Sequence, residues 1–416
     1  MNDGGSGRIR RAASGRFAGA TGWAAAAVAV SAATGVLTAR GLGPEYRGTL
    51  ALALSIAGFC VLISAFGTNV SVRRHLPRNA GVTIRGYERL SILLTAPLLI
   101  VLASAGYATA SFVDPSFGRW DVGAAFMVYG VGFYFSNQAL DLLNAAGLVV
   151  KSARTNAIGS LFCLALVSIA TASGLGLPVI ILAYATSTFF QSAMAYSILT
   201  SGVRTRRQQA VGLRTLLKDG GRLLGLNLGQ TVAYRADTVL LGVFSGQSEV
   251  GMYAVATTPA AVLRIPSNAL GQAAFHDAAS GDIAIRKILG RLARLLVVMV
   301  PLVAVGWVLA DWAVVLIYGV AYADAADILR VLLLAEIALA PFLVIARVVA
   351  GLGSTWGASA SGISGAIVLI FACGALIPPL GAVGAAWASV AAYFTMSSVA
   401  SLALLGAHRS SRNGGT

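Results

Sequence analysis

Apolar stretches of about 20 or more residues, separated by short polar gaps, recur along almost the whole chain. There are twelve, near residues 17–40, 49–72, 90–112, 122–148, 155–174, 178–200, 222–244, 249–273, 288–310, 326–350, 355–376 and 381–406. At a rise of about 1.5 Å per residue, a helix of about 20 residues traverses the roughly 30 Å hydrocarbon layer of a bilayer. The pattern therefore predicts an all-α polytopic membrane protein, and the stretches are numbered spans 1 to 12 below. No gap is long enough for a soluble domain. The longest, around 201–221, is basic and polar and reads as a connector between halves.

The halves echo one another. "RGTLALA" (Arg47–Ala53) opens span 2 and corresponds to "VGMYAVA" (Val250–Ala256) opening span 8, so that Gly48, Ala51 and Ala53 match Gly251, Ala254 and Ala256 at one spacing. Further on, "LDLLNAAG" ending span 4 corresponds to "ARVVAGLG" ending span 10. Residues 1–208 and 209–416 are thus expected to be two six-helix bundles. Six crossings return the chain to its starting side, so the repeats run parallel about an axis along the membrane normal, with a cavity between them. That is the plan of a rocking transporter.

Composition agrees, with 57% hydrophobic residues, 11% charged residues and a mean hydropathy of +0.80. A net charge of +15 would point to nucleic acid in a soluble protein, but position changes its meaning. Of the 30 Lys and Arg residues, Arg40, Arg47, Arg119 and Arg330 fall on one face and Arg235, Arg264 and Arg347 inside spans; all others fall on the opposite face. By the positive-inside rule the basic face is cytoplasmic, and so are both termini. The charge reads as topology, and nucleic acid is not expected as a partner. The apolar run of span 1 is too long, and followed by too many others, for a cleaved signal.

Several chemistries are not expected. Cys60, Cys163 and Cys373 lie in apolar helices without C-x-x-C spacing, so they read as core fillers. His75, His276 and His408 are scattered on cytoplasmic segments and support neither a zinc site nor a triad. "GLVVKS" (Gly147–Ser152) lacks the spacing of a phosphate loop. The expectation is therefore no catalytic residue, no metal and no cofactor.

"ARGLGPEYRGTLALAL" (Ala39–Leu54) and "RADTVLLGVFSGQSEVGMYAVA" (Arg235–Ala256) resemble the span 1–2 and span 7–8 signatures of polysaccharide-biosynthesis membrane proteins. These are the lipid-linked oligosaccharide flippases of the multidrug/oligosaccharidyl-lipid/polysaccharide exporter superfamily. The resemblance implies alternating access, with spans 1, 2, 7 and 8 lining the cavity and a polyprenyl-pyrophosphate glycan as cargo. It also implies work at the cytoplasmic membrane beside a glycan polymerase or glycosyltransferases, and the chain is expected to act as a monomer among membrane lipids.

Charges inside spans are the candidate machinery, because a charge at the bilayer centre costs at least ~2.5–3.5 kcal/mol and usually faces a cavity. On the span 7 wheel, Asn227, Gln230, Tyr234 and Asp237 form one polar stripe beside Thr231, Arg235 and Thr238. Arg235 and Asp237 are about 200° apart and do not neutralise each other directly. Arg235 is the first candidate for contacting a pyrophosphate, since guanidinium stays charged and forks onto phosphate oxygens; the structural alternative is a carboxylate partner on another helix. Arg264, between Pro259 and Pro266 and near Asn268, is placed in the cytoplasmic half of span 8, either receiving substrate or snorkelling to the interface. Asp141 and Arg347 occupy matching repeat positions and are candidates for an ion pair closing the inner gate. Glu336, placed in the outer half of span 10 ahead of Pro341, is the candidate coupling group together with Asp237; the alternative is exposure to the outer vestibule.

Two other functions compete with flipping. A cation-coupled multidrug exporter of the same superfamily would favour carboxylates in the cavity, and the balance of Arg235, Arg264 and Arg347 against Asp141, Asp237 and Glu336 leaves it open. A polytopic glycosyltransferase or polymerase would need catalytic carboxylates in sizeable external loops. The external segments are short, so an enzyme is not expected.

Overall fold

Spans 1 and 2 form one helical run, Asp3–Ser64, bent at a single residue, Gly43, with φ 75° and ψ 173°. Pro44 follows. The helix Leu213–Ser245 of span 7 meets span 8 in the same way, through Gly246 with φ 86° and ψ 179°. This corner of backbone space is essentially open to glycine alone. The two glycines are separated by the same interval as Gly48 and Gly251, so the repeat in the sequence is also a repeat of backbone geometry. A second echo lies at Gly174 (φ 65°), between spans 5 and 6, and Gly381 (φ 56°), which breaks Thr355–Asn413 into spans 11 and 12.

This computed structural model describes residues 3–68, 71–72, 76, 80–202, 213–279, 285–352 and 355–413. Among them there is no β-strand. Trp120–Ala145, Val149–Ala172, Leu177–Gly202, Ile285–Tyr318 and Ala325–Gly351 are spans 4, 5, 6, 9 and 10. Spans 3 and 8 are each split in two, as Ala80–Leu93 with Thr95–Phe112 and as Gln247–Val262 with Arg264–Ala279. Proline explains both breaks: the rings of Pro97 and Pro266 crowd the carbonyl four residues earlier and offer it no N–H.

Among the described residues seven helices are long and apolar enough to cross a membrane, and Gly19–Ser64 and Trp356–Gly406, at 46 and 51 residues, each have length for two crossings. Spans 4, 7 and 8 fall short of that test, and spans 7 and 8 carry charges at their middles. The chain is a multi-pass membrane protein.

Its contacts separate two units: Met1–Thr38, Ala57–Ser111 and Pro115–Leu224 form the first; Ala39–Ile56, Phe112–Asp114 and Gly225–Thr416 form the second. The boundary expected at 208/209 lies outside the described residues. In the first unit, Leu76, Tyr87, Leu142, Leu143 and Leu199 build a closed core. Spans 4 and 6 approach closely where Gly132 faces Thr188 and Phe189.

In the second unit, span 10 is the central element, with 72% of its most apolar window buried, whereas span 9 has 17% and turns Val297, Val305 and Val308 outward as a face for acyl chains. Residues 39–56 join this unit through polar clasps. Tyr322 donates to the Ala39 carbonyl at 2.9 Å, Arg40 Nε donates to the Ile317 carbonyl at 2.8 Å, and Thr49 donates to Asp114 at 2.6 Å. Span 2 then crosses span 8 without side chains between them. A Cβ on Gly48 would lie 1.8 Å from the Gln247 carbonyl oxygen, and one on Gly251 would lie 2.0 Å from that of Pro44. The repeat-related glycines thus face each other's helices reciprocally.

Candidate functional site

Span 7 places its two charges on opposite sides of one helix. Gly229, Ala233, Asp237 and Leu241 recur every four residues and form its buried stripe, while Arg235 is exposed. Gly229 allows this packing, since a Cβ there would sit 2.8 Å from the Ile363 nitrogen. Asp237 is 4% exposed and accepts hydrogen bonds from Tyr253 at 2.6 Å, Ser389 at 3.2 Å and its neighbour's N–H, Thr238, at 2.6 Å. The wheel grouped Asp237 with a cavity-facing polar arc; that orientation is corrected, because local donors on spans 8 and 12 make burial of a carboxylate tolerable. The side chains of Asn227 and Gln230 lie outside the described residues.

A second cluster forms around the break in span 8. Arg264 starts the helix that Pro266 forces to begin anew, and its Nε donates to Glu336 Oε1 at 2.6 Å. Its guanidinium lies 5.7 Å from the ring centre of Tyr234 and 5.8 Å from that of Tyr393, two rings that themselves meet edge to face. Glu336 is 2% exposed and Arg264 28%. Arg264 and Glu336 each lie close to the midpoint of their span, and they meet as a pair. Glu336 is not open to an outer vestibule. Arg264 does not snorkel; a buried carboxylate and two aromatic faces hold it.

Arg347 donates to the Asn268 carbonyl at 2.7 Å and to its Oδ1 at 2.9 Å. Gly271 makes room, since a Cβ there would lie 2.3 Å from the Leu343 carbonyl oxygen. Spans 8 and 10 are thus clamped below the break. Asp141 is half-buried in the first unit, and Arg347 belongs to the second.

Sequence reasoning missed Tyr253, Ser389 and Tyr393. A signal existed: Ser389 and Tyr393 stand four residues apart in the apolar span 12 and so share a face, and a buried tyrosine hydroxyl requires a partner. Cys60, Cys163 and Cys373 are buried free thiols. Among the described residues no group of three His, Cys, Asp or Glu side chains could hold a metal ion.

The sequence model described as "Polysaccharide biosynthesis protein" matches residues 25–275, more than half of the chain and both span 1–2 and span 7–8 signatures. The chain belongs to the polysaccharide biosynthesis protein family. This family member shares its fold with solved membrane transporters of the MOP superfamily. The lipid II flippase MurJ, in an inward closed conformation, superposes with a TM-score of 0.72 at 14% identity, covering 94% of this chain and 87% of that one. An inward-facing multidrug resistance MATE family transporter gives 0.68 at 16% identity over 91% and 93%. A MOP superfamily transporter from Pyrococcus furiosus, whose binding pocket is described as reversed in polarity, gives 0.60 at 14% identity over 95% of each chain. No curated protein sequence matches this polysaccharide biosynthesis protein at a significant level.

Proposed function

We propose that this protein is a flippase that carries a polyprenyl-pyrophosphate-linked oligosaccharide from the cytoplasmic to the outer leaflet by alternating access, for surface polysaccharide biosynthesis. The family match over residues 25–275 carries this reading. The lipid II flippase with the same fold supports it. So does Arg235: an exposed guanidinium within a span is costly against acyl chains and useful against pyrophosphate oxygens. In this reading Arg235 is the first anion contact, Arg264, Tyr234 and Asn268 complete the binding surface with Asn227 and Gln230, and an Asp141–Arg347 pair closes the inner gate. Glu336 and Asp237 couple transport to an ion. The membrane is the cytoplasmic one, both termini are cytoplasmic, and a glycan polymerase or glycosyltransferases work beside a monomeric flippase.

The MATE neighbours favour a second reading, a cation-coupled multidrug exporter. One experiment separates the two. Proteoliposomes containing the protein are loaded with a short-chain polyprenyl-pyrophosphate glycan and, separately, with a cationic dye. Flipping of the glycan lipid without dye transport supports the flippase. Dye transport alone refutes it.

A further inference from the structure

The first unit holds a pocket of about 190 Å³ that the anion-contacting residues do not touch. Spans 1, 4, 5 and 6 line it. Tyr129 and Phe133 stack along one wall, their ring centres 5.6 Å apart and their planes 19° from parallel, and Tyr184 meets Tyr129 edge-on at 6.4 Å. The facing wall is a relay of amides, in which Ser136 bonds to Gln191 Oε1 and Gln191 Nε2 donates to Asn156 Oδ1 at 2.9 Å. Gly159 fits beneath it, since a Cβ there would come within 2.8 Å of Gln191 Nε2.

The chemistry of this lining is selective. Among the described lining residues none carries an Asp, Glu, Lys, Arg or His side chain, so a pyrophosphate would not recover its desolvation cost there. Thr34, Ser187 and Thr188 each donate to a main-chain carbonyl of their own helix. Their oxygens keep acceptor lone pairs for a ligand. Asn156, whose oxygen is engaged by Gln191, offers its amide hydrogens as donors. Flat aromatic faces beside alternating acceptors and donors suit a ligand with both an apolar face and hydroxyl edges, which describes a sugar ring. The volume lies below the roughly 300–1,000 Å³ of drug-sized sites and equals about six water volumes at ~30 Å³ each.

We propose that this pocket is a binding subsite for one neutral sugar residue of the transported glycan. The proposal rests on the flippase reading for the identity of the cargo, though binding at the pocket can be observed without transport. It gives the two units separate tasks: the first reads the uncharged glycan and the second holds the charged linkage.

The full chain in lipid nanodiscs is tested with two probes. One is a panel of free neutral mono- and disaccharides of glucose, galactose and N-acetylglucosamine, followed by saturation-transfer NMR; the other is sugar-free farnesyl pyrophosphate, followed by saturation binding. At least one saccharide is expected to receive saturation at ring C–H protons. Asn156→Ala should weaken that saccharide about tenfold and Ser160→Phe, which fills the pocket, should abolish its signal, both with farnesyl pyrophosphate binding held within about twofold. If Ser160→Phe fails to fold by thermal melting, the exposed Asn156 position carries the test alone. Farnesyl pyrophosphate binding with no saccharide bound overturns the subsite and leaves the flippase reading standing. Saccharide binding lost in the variants, with no farnesyl pyrophosphate bound by the wild type, keeps the subsite and overturns the pyrophosphate cargo. Equal weakening of both probes, or displacement of the saccharide by tetraphenylphosphonium, overturns the subsite.

Discussion

Arg264 Nε and Glu336 Oε1 lie 2.6 Å apart, one at the break in span 8 and the other near the middle of the buried span 10. Removing either partner strands a charge. Arg264→Ala and Glu336→Ala should each destabilise the protein by about 3–5 kcal/mol, whereas the paired apolar replacement Arg264→Met with Glu336→Leu should recover most of that loss. Thermal unfolding in nanodiscs measures the stability, and flipping in proteoliposomes measures the function. A double variant that is stable but flips at least about tenfold more slowly assigns the pair to transport; full activity assigns the pair to the scaffold alone.

The reciprocal approach of Gly48 and Gly251 is less forgiving. A Cβ at either position meets a backbone oxygen within 2.0 Å, and backbone cannot rotate away as a side chain can. Gly48→Ala and Gly251→Ala should each cost more than about 3 kcal/mol. Gly43→Ala, which faces open space but needs φ 75°, should cost about 1–3 kcal/mol. Yield and melting temperature of the three variants should rank accordingly. A well-folded Gly48→Ala protein would remove this crossing from the architecture.

Arg235 is exposed and stands opposite the buried stripe of its helix, so its replacement should leave stability nearly untouched, within about 0.5 kcal/mol. Cells carrying Arg235→Ala should accumulate lipid-linked glycan on the cytoplasmic leaflet, while Arg235→Lys, which keeps the charge but loses the planar fork, should retain partial transport. Normal flipping by a folded Arg235→Ala protein would end the assignment of this residue as an anion contact.

The proposed gate predicts a state-dependent distance. Cysteines at Asp141 and Arg347, in a chain with Cys60, Cys163 and Cys373 replaced by Ala or Ser, should cross-link when the cytoplasmic side is closed and not when it is open. Linkage in neither condition would remove the gate, and Arg347 would then be read only as the donor that clamps Asn268.

Membrane residence, the twelve spans and the twofold repeat are legible in the sequence because they are one-dimensional properties. Hydrocarbon thickness sets a run length, and the repeat shows as residues matched at one spacing, Gly48 with Gly251 among them. The polar residues of the apolar spans could likewise be singled out, since a charge in hydrocarbon needs a reason to be there. Their pairing could not. The wheel separated Arg235 from Asp237 correctly but could not say which of the two faced inward. That was decided by Tyr253 and Ser389, 16 and 152 residues away, whose hydroxyls reach the carboxylate. In the same way the partnership of Glu336 with Arg264 could not be read, because a position counted along one helix does not say which side chain of another helix it meets. Helical periodicity fixes angles within an element; the buried hydrogen bonds that choose between two polar faces join elements distant in sequence, and only the packed chain supplies both ends of them.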